Sequence, residues 1–309
     1  EYSASAADIS FDRSSLEYPM NGYIRIYVKD LDYNLDPTSK DSVGLNITFY
    51  GVTENKLNST VFNFTETGSN TGIFMNQTSY YTGPPFNGTA ASASYYLNFT
   101  GVTSGHPVKV EYTNETYTPF KYITLKSYTP TLNVASTFTT AGDLKITVVD
   151  SNLNQKSWAT EYISNYNFTD YYFTNVTVSV SGGDNETLAT ELKEDGVNAG
   201  TFTYTLPVTI GTHTENNGVL DLKPTDSRVS VTYYVWNDTR ASTVSTWAKQ
   251  AASLTIDRSQ YAETALVTMT LNAPDLNTDN ASINFITTSV QATGLMSYSN
   301  MSFTMGNQT

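Results

Sequence analysis

The chain has 309 residues and a formal net charge of −13, and only 15% of its residues are charged, whereas 23 are tyrosine and 80 are serine or threonine. Nucleic acids and anionic membranes are bound by clustered lysine and arginine, so this balance excludes both as expected partners. Cysteine is absent, which excludes disulfide bonds and thiolate metal sites.

The first third of the chain alternates apolar and polar residues in short runs. The clearest run is Tyr23-Ile-Arg-Ile-Tyr-Val28, in which every second residue is aliphatic. A period of two predicts a half-buried β-strand. Further runs of this kind cover residues 43–50, 60–65, 94–100 and 108–112, with Gly, Pro and Asn between them. No stretch here has a helical period, so the sequence predicts an all-β unit.

The same order of strands begins again near Leu132 and a third time at Leu254. The segment Leu254-Thr-Ile-Asp-Arg258 repeats Ile9-Ser-Phe-Asp-Arg13 almost residue for residue. A period of about 120 residues made of short strands predicts tandem immunoglobulin-like β-sandwich domains. We place these domains at residues 1–127, 128–250 and 251–309, with linkers near residues 127–130 and 248–252.

The two ends of the sequence predict a processed chain whose third unit is incomplete. The chain begins with Glu1 rather than methionine, as a mature protein does after its signal peptide is removed. The third unit stops at Thr309, about halfway through its period, so either the natural polypeptide continues or another chain supplies the missing strands. No run of about 18 apolar residues occurs, and we expect no transmembrane helix in this portion.

A turn motif is shared by the first two units. Glu66-Thr-Gly-Ser-Asn-Thr-Gly-Ile-Phe74 recurs as Glu194-Asp-Gly-Val-Asn-Ala-Gly-Thr-Phe202. Glycine and asparagine reach positive φ without much strain, so the motif predicts a tight turn between two strands. Phe74 and Phe202 then begin an inward face.

The strongest candidate for a binding site is the acidic loop Asp30-Leu-Asp-Tyr-Asn-Leu-Asp36. Carboxylates and an amide at alternate positions are what an oxygen-preferring cation such as Ca²⁺ requires. The candidate ligands are Asp30, Asp32, Asn34, Asp36 and Asp41. Leu35 stands where the helix-loop-helix calcium site has glycine, so the loop is not of that type. Weaker copies follow at residues 150–154 and 275–279, and the alternative is a polar turn in which Asp and Asn cap the backbone.

Glycosylation acceptor sites are the second signal. Fourteen Asn-x-Ser/Thr sites occur, and twelve of them use threonine. In several, such as Asn63-Phe-Thr65, a strand would place the asparagine on the solvent face and the apolar residue in the core. We therefore expect dense N-linked glycosylation; the alternative is a composition rich in Asn and Thr for strand and turn reasons. The sites are Asn46, Asn58, Asn63, Asn76, Asn87, Asn98, Asn114, Asn167, Asn175, Asn185, Asn237, Asn280, Asn300 and Asn307.

Residues that usually carry catalysis are sparse. His106 and His213 are the two histidines, and no phosphate loop, Gly-x-Ser-x-Gly elbow or zinc helix motif occurs. Glu66 and Glu194 could supply the carboxylate pair of a secreted glycan hydrolase. Both belong to the repeated turn, however, and residues that recur in each repeat more often serve the fold than one active site. We therefore expect no enzyme.

Three of these patterns together resemble archaeal surface-layer proteins. They are the opening Ser-Phe-Asp-Arg at residues 10–13, the Asp-x-Asp-x-Asn-x-Asp-Pro turn at residues 30–37 and the Glu-Thr-Gly-x-Asn-Thr-Gly-x-Phe turn at residues 66–74. That family consists of secreted, heavily glycosylated arrays of immunoglobulin-like domains that tile the cell as a porous lattice, often with bound calcium. The turn motif is shared with archaeal adhesins and filament subunits.

The resemblance implies a structural component of an extracellular lattice at the cell surface, heavily N-glycosylated and stabilised by calcium. Its partners would be further copies of itself and a separate membrane-anchoring protein, with no nucleic acid and no membrane insertion in this portion. The alternatives are a subunit of an extracellular filament, a pilus or thread completed by donor-strand exchange, or a cell-surface adhesin.

Overall fold

A computed structural model describes residues 6–20, 22–51, 56–81, 96–99, 101–114, 118–140, 143–163, 174–188, 192–235, 238–261, 265–276, 285–293 and 298–306. Within these residues the chain forms β-strands and two single-turn 3₁₀-helices, and no α-helix. The expected all-β class is confirmed, whereas the immunoglobulin-like topology stays a prediction. No helix in this part of the chain is long and apolar enough to span a bilayer.

The first nine strands form one continuous sheet. They are β1 (Asp8–Phe11), β2 (Glu17–Pro19), β3 (Gly22–Lys29), β4 (Ser42–Tyr50), β5 (Lys56–Glu66), β6 (Ile73–Tyr81), β7 (Tyr96–Asn98), β8 (Pro107–Thr113) and β9 (Phe120–Lys126), with a 3₁₀-helix at Leu31–Tyr33. The order in the sheet is β1-β3-β6-β5-β4-β8-β9-β2, and β7 pairs with β6. The edge strand β1 also contacts β9, so the sheet curls around its core.

The core of this sheet follows from the alternation in the sequence. In β3, Ile24, Ile26 and Val28 are buried while the residues between them are partly exposed, as the period of two predicts. The same inward face continues through Phe64 and Phe74. Burying each such side chain stabilises the fold by about 1.5–3 kcal/mol.

The remaining strands form two five-stranded sheets and three two-stranded pairs. They are β10 (Thr131–Val134), β11 (Thr137–Phe138), β12 (Leu144–Val149), β13 (Tyr162–Ile163), β14 (Thr174–Val180), β15 (Asn185–Thr187), β16 (Leu192–Glu194), β17 (Thr201–Leu206), β18 (Val208–Ile210), β19 (Leu220–Leu222), β20 (Arg228–Val235), β21 (Asp238–Trp247), β22 (Ser253–Ile256), β23 (Met269–Asn272), β24 (Phe285–Thr293) and β25 (Tyr298–Gly306), with a second 3₁₀-helix at Pro274–Leu276. The five-stranded orders are β10-β12-β17-β16-β13 and β11-β21-β20-β14-β15, and the pairs are β18-β19, β22-β23 and β24-β25.

The chain divides into two compact units. Unit 1 contains Glu1–Thr131, Val148–Phe173 and Leu192–Phe202, and unit 2 contains Leu132–Thr147, Thr174–Glu191 and Thr203–Thr309. The core of unit 2 includes buried valines of β14 and β20, among them Val176, Val178 and Val231. The predicted domain boundaries near residues 127 and 250 stay a prediction. Unit 1 also includes residues 148–173, and hydrogen bonds hold part of this segment against the first sheet.

Candidate functional site

A single buried glutamate organises the turn that follows β5. The carboxylate Oε1 of Glu66 accepts hydrogen bonds from the N–H groups of Thr71 and Gly72, the latter at 2.7 Å, and Oε2 accepts from the N–H of Asp41 at 3.2 Å. One side chain therefore satisfies three backbone donors and ties residues 30–41, which we call the first polar loop, to the turn at residues 66–72. We call this arrangement the first corner.

The second copy of the motif builds the same arrangement. Oε1 of Glu194 accepts from the N–H groups of Ala199 and Gly200, at 2.8 and 2.7 Å, and Oε2 accepts from the N–H of Glu161 at 3.1 Å. Glu194 is also buried. Residues 150–161 are thus the second polar loop, and together with the turn at residues 194–200 they form the second corner. The donors occupy equivalent positions in the two corners.

The backbone conformation of the turns explains their Asn and Gly residues. Asn70 and Gly72 have φ values of 57° and 60°, and Asn198 and Gly200 both have a φ of 63°. These are the residue types that adopt the left-handed region at least cost. The predicted tight turn is confirmed in both copies, and the phenylalanine that follows each turn is fully buried.

Further paired hydrogen bonds fix each polar loop to its turn. The N–H of Asp30 donates to the carbonyl of Gly72, and that of Asp150 to the carbonyl of Gly200, both at 2.9 Å. In each corner the side-chain amide of the loop asparagine donates to the turn asparagine: Asn34 to Asn70 at 2.8 Å, and Asn154 to Asn198 at 3.0 Å. The two corners are therefore repeated in their side chains as well as in their backbone.

Asp30, the first predicted calcium ligand, lies in the protein interior. Its Oδ1 accepts from the N–H of Asp32 at 3.1 Å, and its Oδ2 accepts from the Tyr112 hydroxyl at 2.7 Å and from the Asn114 amide at 2.9 Å. Burial, and then the hydrogen bond to Asp30, raise the pKa of Tyr112, so the phenol stays a donor. Asp30 links the first polar loop to β8 and its end.

The other predicted ligands also bind donors of the protein. Oδ2 of Asp41 accepts from the N–H groups of Leu35 and Asp36, at 2.7 and 3.0 Å. Oδ1 of Asp36 accepts from both the N–H and the hydroxyl of Thr38, while Oδ2 accepts from Ser39. The side-chain hydrogen bond from Thr38, followed by that from Ser39, lowers the pKa of Asp36 to about 2. This is a self-capped polar turn.

These residues do not fit a calcium site in the present arrangement. Ca²⁺ takes about six to eight oxygen ligands around one point. The carboxylates of Asp30, Asp36 and Asp41 accept hydrogen bonds from protein groups, and among the residues that the structure describes no three acidic or histidine side chains converge as a metal site would require. The geometry favours the alternative of a backbone-capping turn, and the calcium site stays a prediction.

The described glycosylation sites differ in exposure. Asn46, Asn63 and Asn185 are exposed, and Phe64 beside Asn63 points into the core as expected. Asn76 is buried, and its amide donates to the carbonyl of Asn63, which disfavours a glycan at this position. Glycosylation itself stays a prediction, and the geometry favours the exposed sites as carriers.

The remaining acceptor asparagines are less accessible or lie outside the residues that the structure describes. Asn114 is partly buried and bonded to Asp30, and Asn175 is partly buried in β14. The side chains of Asn58, Asn98 and Asn300, and the whole of Asn87, Asn167, Asn237, Asn280 and Asn307, lie outside the described residues.

One histidine has a partner that the sequence did not indicate. Nε2 of His213 lies 2.9 Å from Oδ2 of Asp226, and both side chains are largely buried. Burial would raise the pKa of Asp226, but hydrogen bonds from the Lys223 N–H and from His213 hold it below its usual value. His106, by contrast, contacts only its neighbour Thr103 through its ring nitrogen among the described contacts.

The repeated Asp-Arg segment docks on the second polar loop. We call residues 9–13 the first start segment and residues 254–258 the second start segment. Nη2 of Arg13 donates to the carbonyl of Asn154 at 2.6 Å and lies 3.3 Å from its Oδ1. Oδ2 of Asp12 accepts from the hydroxyl of Ser157. Because these partners are 141 or more positions apart, no local pattern in the sequence indicated the contact.

Aromatic and amide contacts complete this docking within unit 1. The guanidinium of Arg25 stacks over the Trp158 ring at 3.8 Å, and Tyr23 meets the same ring edge to face at 6.5 Å. The amide of Asn152 bridges Tyr128, accepting from its N–H and donating to its carbonyl at 2.8 and 2.7 Å. A loop held by stacking, charge-assisted and amide contacts is rigid relative to the sheet that it covers.

Comparisons with known proteins identify no family for this chain. No family model matches the chain, and no curated protein matches it. Among solved structures, the chain is similar to red sea bream transglutaminase at 9% identity and a TM-score of 0.25, with 80% of this chain and 32% of that chain covered. It is similar to native alpha-2-macroglobulin of Escherichia coli at 10% identity and a TM-score of 0.24, over 99% of this chain and 20% of that chain.

Salmonella alpha-2-macroglobulin reacted with methylamine gives a similar result. The identity is 8% and the TM-score 0.25, over 98% of this chain and 20% of that chain. The chain therefore spans between about a fifth and a third of the length of these proteins. At such TM-scores the similarity carries no argument about topology or activity.

Proposed function

We propose that this protein is a structural component of an extracellular surface-layer lattice, N-glycosylated and assembled from further copies of itself. The observation that carries the proposal is the repeated corner. In both copies the acidic residue that the repeats share, Glu66 or Glu194, accepts backbone N–H groups and is buried, which supports a role in the fold rather than in a reaction. Repeated, internally braced β-units suit a load-bearing array.

The docked second polar loop supports the same proposal. Arg13 is buried against Asn154, and Arg25 stacks on Trp158, so this part of unit 1 resists bending. A lattice that must keep its pores open requires such rigid segments. Flexible connections would favour a tethered adhesin instead.

Surface chemistry is also consistent with an exposed cell envelope position. The low proportion of charged residues leaves solubility to hydroxyl and amide groups. Exposed acceptor asparagines on β4, β5 and β15, namely Asn46, Asn63 and Asn185, would carry glycans that hydrate the sheet faces. We therefore place the protein outside the cell, anchored by a separate membrane-anchoring protein.

A filament subunit completed by strand exchange is the second candidate, and one observation favours it. Leu254 and Ile256 of β22 are 45% and 52% exposed, whereas Ile9 at the equivalent position of β1 is fully buried. An apolar strand face of this kind can be covered by a donated strand. The same face suits a lattice contact, so the assembly itself must be observed.

Electron microscopy of the native cell envelope tests the proposal. A two-dimensional lattice labelled by antibodies to this protein is the expected result, and chelation of divalent cations tests the calcium prediction in the same specimen. Filaments would favour the second candidate. Dispersed monomers, or loss of a polysaccharide on incubation with the purified protein, would contradict the structural role.

A further inference from the structure

The Asp-Arg pair occurs in both start segments with the same backbone arrangement. In the first, the N–H of Asp12 donates to the carbonyl of Arg25 at 3.3 Å, and Oδ1 accepts from the N–H of Arg25 and from a tyrosine hydroxyl. In the second, the N–H of Asp257 donates to the carbonyl of Thr268 at 3.0 Å, and Oδ1 accepts from the N–H of Thr268 and from a tyrosine hydroxyl. In both, the aspartate fixes the turn and the arginine is left for another contact.

The two arginines differ in what they contact. Arg13 is buried and donates to the carbonyl of Asn154 in the second polar loop. The side chain of Arg258 is 70% exposed, and its Nε lies 3.6 Å from the carboxylate of the adjacent Asp257. A weak, solvated ion pair of this kind leaves the guanidinium donors available to another partner. The same structural element is therefore docked in one repeat and exposed in the other.

The first polar loop carries the matching acceptor. Asn34 and Asn154 occupy equivalent positions, since each donates its amide to the turn asparagine of its corner. Oδ1 of Asn154 accepts from Arg13, whereas Oδ1 of Asn34 lies below the surface and has no hydrogen-bond partner within the described part of the chain. A buried acceptor without a donor is unfavourable, so a donor that reached it would stabilise the loop.

We propose that Arg258 of one copy docks on the first polar loop of a second copy, repeating between chains the contact that Arg13 makes with Asn154. The guanidinium would donate to the carbonyl and Oδ1 of Asn34, with the exposed side chain of Leu35 moving aside. This inference rests on the self-association in the proposed function and names the surfaces that meet.

Charge and geometry both support a second copy as the occupant. The loop that receives Arg258 contains four aspartates within twelve residues, in a chain of net charge −13, so it attracts a cation. The two surfaces are different patches of one chain, which makes the contact heterologous. A heterologous contact that does not close into a ring produces an open row of molecules.

Cysteine cross-linking tests the contact, because these 309 residues contain no cysteine. We would mix a Leu35→Cys chain with an isotope-labelled Ser259→Cys chain, which keeps Arg258 beside the exposed new thiol, under mild oxidation and identify disulfide-linked peptides by mass spectrometry. Leu35 is 78% exposed beside Asn34, so its substitution leaves the acceptor in place. The expected result is a 35–259 disulfide in excess of both symmetric dimers.

Two controls decide the outcome. Val244→Cys replaces Leu35→Cys at another exposed apolar position, and a 35–259 yield no higher than the 244–259 yield would overturn the proposal. Arg258→Ala should weaken self-association in sedimentation by about tenfold or more, with the exposed Arg228→Ala as the matched control. A lattice on the envelope without this disulfide would overturn the docking contact alone, whereas the disulfide without any lattice would support the contact and contradict the proposed function.

Discussion

The two corners share their backbone hydrogen bonds, but the last residue of the polar loop is Asp41 in the first and Glu161, one methylene group longer, in the second. We call the buried glutamate of each corner, Glu66 or Glu194, the hub glutamate. At equivalent positions, Asp41 of the first corner and Glu161 of the second donate their N–H to it. The shorter Asp41 accepts from two backbone N–H groups of its own loop. The longer Glu161 accepts from the N–H of Lys156 through Oε1, while its buried Oε2 has no donor within the described residues.

The pKa values of one glutamate in each corner are shifted in opposite directions. Burial alone would raise the pKa of Glu66, but hydrogen bonds from the N–H groups of Gly72, Asp41 and Thr71 outweigh it and hold the pKa below its ordinary value. Burial, and then the hydrogen bond that the protonated carboxyl group donates to Glu194, raise the pKa of Glu161 to about 8. The hub glutamate and its backbone donors fix the shape of a corner, whereas burial beside Glu194 raises the proton affinity of Glu161.

Removing the hub glutamate of a corner should lower the free energy of unfolding more than the other substitutions proposed here. Glu194→Ala leaves three backbone N–H groups without their acceptor. A buried donor without a partner costs about 1–3 kcal/mol, and partial access of water makes the expected loss of unfolding free energy on the order of 3–5 kcal/mol. Urea denaturation followed by tryptophan fluorescence measures it.

The matched control is Glu215→Ala, which removes an exposed glutamate. It should leave the urea midpoint nearly unchanged, and Glu66→Ala should destabilise in the same direction as Glu194→Ala. A Glu194→Ala midpoint equal to that of Glu215→Ala would show that the hub does not hold the corner.

The pH dependence of stability should separate the two corners. Between the ordinary pKa of 4.5 and the folded value of about 8, folded Glu161 binds a proton that the unfolded chain has released. The folded state then binds more protons, so stability falls as pH rises through this window and the loss is complete above about pH 8. Because Glu161 is partly accessible to solvent, we expect a fall of only about 2–4 °C in melting temperature.

Substitution at Glu161 tests this assignment. Glu161→Gln should remove that part of the pH dependence, and Glu161→Asp should make the second corner behave like the first. The reciprocal Asp41→Glu should introduce the dependence at the first corner. If the melting temperature of the Glu161→Gln variant fell between pH 5 and 8 as much as that of the natural chain, another group would be responsible.

The sequence predicted the parts of these corners that depend on local chemistry. The turns followed from Asn70, Gly72 and their counterparts, because few residue types tolerate positive φ. The period of two in β3 likewise placed Ile24 and Ile26 in the core. Both inferences concern residues that are neighbours along the chain.

Contacts between distant residues could not be read in this way. Alternating carboxylates in the first polar loop predicted a calcium site, and spacing alone does not tell whether an oxygen coordinates a cation or accepts a hydrogen bond from an N–H group. Asp30 illustrates this, because its donor Tyr112 lies 82 positions away. The docking of Arg13 depends on a partner even farther along the chain, and its only signal was the recurrence of Asp-Arg at residues 257–258.

A glycine in each turn offers the smallest and sharpest comparison. Gly72→Ala and Gly200→Ala both place alanine at positive φ, which costs about 1–2 kcal/mol in each case. The new Cβ at Gly72 would press chiefly on the Cδ2 end of the Leu31 side chain, which is exposed and can move away. The new Cβ at Gly200 would lie 3.2 Å from the Cα of Ser151, in a loop held by its own hydrogen bonds. We therefore expect Gly200→Ala to lower the urea midpoint more than Gly72→Ala does. The difference between the two variants in unfolding free energy should be less than about 1 kcal/mol. Equal midpoints would mean that the second polar loop yields as readily as a surface leucine, and its docking by Arg13 and Trp158 would then not make it rigid.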